Sequence, residues 1–359
     1  MSFGVPQRTW VRVALLLPPM LLALGLLWWR GPSVHDVSDA FTAVRWELVA
    51  AAIFLNLLSV LVRALSWDAV IGQAMPAPRP GFRLVFPAFG VGLFANAVLP
   101  GRIGELARVA VLTRKMPSRR GTWATLIGTV FAHRVLDLVP ILILVVYVLL
   151  TARIPEWAIT SLTIAAVVGI ALFAFALASA RHHERSPEAG VLGVGVGPAR
   201  RLVTMARHGL GVLHAPGAAT LSTLLQCTGW LFQLLAVYVS MRAFDIDAPL
   251  PAAALVLLLV SVATVFPLWP GNVGLVQAAV ALPLLQYGVA SAHGIAYGFG
   301  LQAIEASVGI GVGLVFLARE GLSYAMLKVM PDAAQAEVPG GAEAASEEER
   351  PRASARVPG

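Results

Sequence analysis

The sequence predicts an all-α integral membrane protein: six transmembrane helices plus two re-entrant helical hairpins, arranged as an inverted repeat. Three observations predict it. Apolar residues make up 58% of the 359 and only 13% are Asp, Glu, Lys or Arg, against about 25% charged residues in a typical soluble domain. Six apolar stretches reach the roughly 20 residues needed to cross a bilayer. Two further apolar stretches are broken by Pro-Gly, and the two breaks resemble each other.

The composition excludes other classes. The chain carries too little charge to cover a water-soluble globule of its size and too much Leu, Val and Ala for a disordered one. A single cysteine, Cys227, excludes a disulfide scaffold or a cysteine-based zinc site, and it reads as a small buried apolar residue. The formal charge is +7, but the basic residues fall in short loops between apolar segments, where they orient a membrane protein rather than bind nucleic acid. The stretch from Pro331 to Gly359 holds six acids and three arginines, leaving +10 for the remainder.

The six full spans are Val11–Trp29, Trp46–Trp67, Thr122–Leu150, Trp157–Ser179, Ala218–Met241 and Ala292–Ala318. Trp28, Trp29, Trp46, Trp67 and Trp157 lie at their ends, as interfacial aromatics do. The first ends in Leu-Trp-Trp-Arg without a small-residue cleavage pattern and reads as an uncleaved helix. The interrupted stretches are Phe82–Leu112, broken at Pro100-Gly101, and Pro251–Gln286, broken at Pro267 and Pro270-Gly271. Proline removes a backbone donor and glycine frees the chain to turn.

Charge asymmetry selects between bent crossings and hairpins. If each broken stretch enters and leaves on one side, 15 Lys and Arg collect on that side with both termini, and four (Arg30, Arg45, Arg153, Arg242) lie opposite. Positive loops stay cytoplasmic, so both termini are expected inside a plasma membrane. The first hairpin is then entered from the cytoplasm and the second from outside. Pro198–His214 reads either as a basic helix on the inner leaflet or as a solvated loop. Residues 1–330 form one polytopic domain with halves of about 11–150 and 157–318. Residues 331–359 form an acidic tail expected to be disordered, with no room for a second folded domain after the last span.

The breaks carry an internal repeat. Pro100-Gly101-Arg102-Ile103-Gly104 and Pro270-Gly271-Asn272-Val273-Gly274 share Pro-Gly-x-β-branched-Gly at an offset of 170. The same offset carries the span at Trp46 onto the one near Pro216, and Thr122 onto Ala292. Each half has an odd number of crossings, so the second is inverted. Inverted repeats with matching broken segments are a transporter signature, and the breaks point to the binding site.

Charges inside apolar segments cost at least about 2.5–3.5 kcal/mol each on insertion scales and need partners or a purpose. Arg102, Glu105 and Arg108 follow the first break at spacings of three. His133, Arg134 and Asp137 share the next span, within reach at i,i+3 and i,i+4. Asn96 precedes the first break; Asn272 lies in the second, followed by Gln277, Gln302 and Glu305. Half-helices starting after the breaks aim N-termini into the membrane and favour an anion there. Arg102 or Arg134 would add charge-assisted hydrogen bonds to a phosphate, with Glu105 and Asp137 as balancing or gating partners. A bland reading stands beside this one: a self-neutralising cluster at the interface, Asp137 as counter-ion to Arg134, His133 as a satisfied interior histidine, amides as interhelical glue, and Arg63 snorkelling near Trp67. No Gly-x-Ser-x-Gly, His-Glu-x-x-His, phosphate loop, cofactor motif or metal cluster is present.

Asn96-Ala97-Val98-Leu99-Pro100-Gly101-Arg102-Ile103-Gly104-Glu105-Leu106-Ala107-Arg108 resembles the N-x-x-L-P-x-R-x-G-E-x-x-R signature of a flippase-like membrane family related to the transmembrane region of lysylphosphatidylglycerol synthase. His133-Arg134-Val135-Leu136-Asp137 resembles its next motif, with His133 in place of the usual acid. Pro267-Leu268-Trp269-Pro270-Gly271-Asn272-Val273-Gly274 resembles its Pro-x-x-Pro-Gly-x-x-Gly element, and Val276-Gln277 departs from the acid common beyond it. The resemblance implies translocation of a polar phospholipid or lipid-linked head group, in a chain without the synthases' soluble transferase domain. The alternatives are a membrane enzyme acting on a polyprenyl-phosphate or lipid-linked sugar, and a scaffold for a lipid synthase or glycosyltransferase partner.

Overall fold

The computed structural model describes residues 34–75, 79–98, 103–116, 122–183, 215–265 and 272–319. The span Val11–Trp29, the basic segment Pro198–His214 and the tail lie outside the described residues, as do Pro100, Gly101, Arg102, Pro270 and Gly271. The described residues are helical, with no strands among them. The helices are α1 (Val34–Thr42), α2 (Trp46–Ala74), α3 (Phe82–Val98), α4 (Gly104–Arg114), α5 (Thr122–Thr151), α6 (Glu156–His183), α7 (Pro216–Ala243), α8 (Leu250–Ala263), α9 (Leu275–Leu284) and α10 (Ser291–Arg319). A short 3-10 turn, Leu285–Tyr287, follows α9.

Five of these helices are long and apolar enough to cross a membrane: α2, α5, α6, α7 and α10. They fall on the five described spans expected from the sequence, with ends displaced by a few residues. The broken stretches form the four short helices α3, α4, α8 and α9. At 1.5 Å per residue, α4 is about 16 Å long and α3 about 25 Å, both short of a hydrocarbon core about 30 Å thick. The 170-residue offset holds for two of the helix pairs. It carries Trp46 onto Pro216, Gly104 onto Gly274 and Arg114 onto Leu284, the bounds of α2 and α7 and of α4 and α9 to within a residue.

Cross-helix contacts fix the directions. Along α2 and α7 the pairs are Arg45 with Ala243, Ser59 with Gly229 and Ser66 with Ser222, so these helices run antiparallel. α2 is antiparallel to α5 as well (Trp67 to Thr129, Arg63 to Asp137). α7 is antiparallel to α10 (Gln233 to Glu305, Ser240 to Tyr297). α2 and α7 thus run in opposite directions, and so do α5 and α10. Within the first broken stretch, Gly92 meets Arg108 and Asn96 meets Gly104, so α3 and α4 lie antiparallel against each other.

Between membrane helices, close approach needs small residues, because lipid tails give apolar side chains no reason to prefer each other. α10 carries two glycine pairs at i,i+4. Gly294 and Gly298 admit Ala281 and Gln277 of α9; Gly309 and Gly313 admit Ala97, Phe94 and the Gly90 carbonyl of α3. Gly229 of α7 admits the Arg63 stem, which a Cβ there would meet at 2.6 Å. Three apolar clusters follow among the described residues: one around α5, α7, α8 and α9, one around α2, α3, α4 and the start of α5, and a small one of Val70, Ala132 and Leu136.

Gly313→Ala places a methyl against Phe94 and the Gly90 carbonyl, whereas Gly311→Ala faces open space. Overpacking costs about 1–3 kcal/mol, while an unobstructed glycine-to-alanine change favours a helix by up to about 1 kcal/mol. Thermal unfolding in detergent is therefore expected to fall for Gly313→Ala and to hold or rise for Gly311→Ala.

Candidate functional site

The interior charges converge. Asp137 is the hub: its side chain is 5% exposed and lies near the middle of α5. Arg63 of α2 donates through Nη2 to Asp137 Oδ1 at 3.2 Å and Oδ2 at 3.3 Å. Arg134, one turn away on α5, donates through Nη1 to Oδ2 at 3.1 Å. The Trp230 indole of α7 donates to Oδ1 at 3.0 Å. One carboxylate therefore ties α2, α5 and α7 together.

The string continues into the first broken stretch. The other end of Arg134 pairs with Glu105 Oε1, and Glu105 Oε2 lies 2.5 Å from Arg108 Nη2. The order is Arg108, Glu105, Arg134, Asp137, Arg63, with signs alternating along it. Arg108 is buried, its guanidinium 4.5 Å from the Trp67 ring centroid and 5.4 Å from that of Phe89. Arg63 lies 5.5 Å from the Trp230 ring. Aromatic faces attract desolvated cations, most strongly where water is excluded. Three guanidiniums against two carboxylates leave one net positive charge. The buried Nε–H groups of Arg63 and Arg108 meet no acceptor among the described residues.

Of the residues singled out from the sequence, Glu105, Arg108, Arg134 and Asp137 meet in this string. His133 lies beside it, its Nε2 3.2 Å from the Arg63 carbonyl oxygen and 3.1 Å from the Gln226 amide nitrogen. Asn96 accepts at Oδ1 from the Gly104 N–H at 2.8 Å. In the second broken stretch, Gln277 Oε1 accepts from the Gly274 N–H at 2.6 Å and its Nε2 donates to Gln302 at 2.8 Å. Asn272 donates to the Ala263 carbonyl at 3.1 Å, closing the C-terminal end of α8. Asn272 and Gly274 have φ of 47° and 90°, left-handed values that glycine adopts freely and asparagine tolerates. Each half-helix start thus has one N–H already bound to an amide oxygen. The arginines, more than the helix ends, carry the positive potential.

Two features differ from the sequence reading. Arg63 does not snorkel past Trp67; it is bound to Asp137 across the α2–α5 contact. Trp230 and Gln226, both on α7, belong to the cluster although nothing local marks them. The signal available was charge balance, since an arginine deep in a span calls for an acid at similar depth.

Several apolar spanning helices gathered round buried ion pairs define a multi-pass α-helical membrane protein. Residues 10–313 match the family model for the lysylphosphatidylglycerol synthase TM region, and the chain belongs to that family. It is also similar to a UPF0104 membrane protein, PH1989, from Pyrococcus horikoshii, being 28% identical over 131 residues. The match covers 36% of this chain and 38% of that relative's length.

Removing one partner of a buried ion pair leaves an uncompensated charge and costs on the order of 3–5 kcal/mol, while replacing both by apolar groups is often neutral. Asp137→Leu should lower the detergent melting temperature sharply, and adding Arg63→Met should recover much of the loss. A double variant no more stable than Asp137→Leu alone contradicts the pairing.

Proposed function

We propose that this protein moves the polar head group of an anionic or zwitterionic lipid between the leaflets of the plasma membrane. The observation that carries this reading is the net-positive string of paired charges among apolar helices, with Arg108 and Asp137 buried. A phosphate carries one negative charge and several acceptor oxygens, which suits one surplus guanidinium charge and unspent Nε–H groups. Arg134 is the natural first contact, because its side chain is 48% exposed, the most exposed of the string. Glu105, Arg108 and Asp137 border the same path, and the acyl chains stay in the bilayer.

We infer the membrane topology from helix directions and charge. Since α2 and α5 are antiparallel, Ala74 and Thr122 lie on one face, so α3 and α4 enter and leave there. Since α7 and α10 are antiparallel, α8 and α9 enter and leave by the opposite face. Both broken stretches then dip into the bilayer as re-entrant hairpins, in halves related by inversion. The excess of positive loops puts the termini in the cytoplasm. In a Cys227→Ser background, Gly81→Cys and Met116→Cys are expected to react with impermeant maleimide from the cytoplasmic side, and Gly288→Cys from the other. Labelling of residues 81 and 116 from opposite sides would sink the first hairpin.

The functional test is reconstitution in liposomes with trace fluorescent phospholipid and dithionite bleaching of the outer leaflet. A hydrogen bond to a charged group contributes about 1.5–3 kcal/mol, so Arg134→Ala should slow transbilayer movement per folded protein by roughly tenfold or more. Unchanged transport removes Arg134 from the path. A chemically altered lipid points instead to the enzyme, and absence of movement with co-purification of a synthase points to the scaffold.

A further inference from the structure

The halves differ at one equivalent place. In the first, Arg63 of α2 binds Asp137 of α5; in the second, Gln233 of α7 donates to Glu305 of α10 at 3.2 Å. Residues 63 and 233 are 170 apart, and both acids lie near the middle of their helices, Glu305 fourteen residues from either end of α10. Asp137 is held by two guanidiniums and an indole N–H. Glu305 has the neutral Gln233 amide in place of a guanidinium.

The helices packed against α10 leave Glu305 without a described cation. Arg63 of α2 is committed to Asp137, and the other charged residues of α2, Glu47 and Asp68, lie towards its ends. The charged residue of α3, Arg83, lies at the start of its helix, and on α1 the exposed His35 and Asp39 pair with each other. α7 offers Gln233, with Tyr238 and Arg242 near its end and Cys227 further along. α9 has no charged residue and joins α10 through Gln277 and Gln302. Tyr297 on α10 itself is bound to Ser240 and the Val237 carbonyl.

We propose that Glu305 is a proton-binding site that couples lipid movement to the transmembrane proton gradient, one proton travelling with each monoanionic lipid. This rests on the lipid-moving reading above. Charge counting supports it. Among the described residues the arginine string carries +1, and ionised Glu305 carries −1. The empty, deprotonated core is therefore neutral. Binding a monoanionic lipid makes it −1 unless Glu305 takes a proton, which restores neutrality; a proton without lipid leaves +1. Net charge inside the bilayer is expensive, so the two neutral states, empty and doubly loaded, are the ones that reorient. A proton from water on one face joins a Glu305 carboxylate oxygen and leaves to water on the other, with no electron transfer.

The test has two arms. In proteoliposomes with voltage clamped by potassium and valinomycin, a one-unit pH gradient should drive trace labelled phosphatidylglycerol towards the alkaline side. The limiting leaflet ratio is about tenfold for one proton per lipid. In Glu305→Gln the distribution should ignore the gradient, and Glu305→Asp should restore part of the response. The second arm needs no transport: a hydrophobic carbodiimide, read by mass spectrometry, should modify Glu305 in its protonated form, with labelling that falls as pH rises from 5 to 9. Wild type that moves lipid to a distribution blind to the gradient overturns the proposal, as does Glu305 labelling that is absent or flat with pH. If no lipid moves, the transport reading fails, and carbodiimide labelling alone decides whether Glu305 binds a proton.

Discussion

A charge in hydrocarbon must find a counter-charge, and Asp137 is where this protein meets that requirement. Its carboxylate receives Arg63 from α2, Arg134 from its own helix and the Trp230 indole from α7. No other described side chain joins three spanning helices through ionic contacts and an indole at once. Loss of the acid would strand the Arg63 guanidinium and leave Arg134 with Glu105 alone, so the arrangement of these helices is tied to one ionised group. The cost of burying these charges is offset only if every partner arrives together. The site is accordingly a feature of the assembled bundle and not of any one helix.

The glycine contacts serve the same end by a different force. Lipid supplies no hydrophobic drive between helices, so dispersion at short range and buried hydrogen bonds hold them. Gly309 and Gly313 bring α10 onto α3, and Gly229 brings α7 against Arg63. Gly229 therefore both tightens a seam and leaves room for the arginine that reaches Asp137. Packing and electrostatics cannot be altered separately there.

The spans were legible because their signal is local: a long apolar run with aromatic ends, as in Trp46–Ala74 or Thr122–Thr151. The interruptions between α3 and α4 and between α8 and α9 were legible because Pro-Gly is strong punctuation. The motif residues Glu105, Arg108, Arg134 and Asp137 were legible as charges out of place. Trp230 and Gln226 were not, because each is ordinary in its own helix and gains its role from a partner 93 residues away. Arg63 was misread for a related reason: a nearby tryptophan suggested a route to the interface, when the neutralising acid stood on another helix.

Ser59 and Gly229 stand 170 apart and touch, the hydroxyl donating to the carbonyl at 2.8 Å. At such a point a residue faces its own counterpart. Two separate identical chains would have to place the same side chain on both sides, either two hydroxyls competing for space or two glycines with no donor. A single continuous polypeptide escapes that restriction and can put the donor on one side and the bare backbone on the other. The same freedom lets Arg63 meet an acid on α5 while Gln233, 170 residues on, offers only an amide to Glu305.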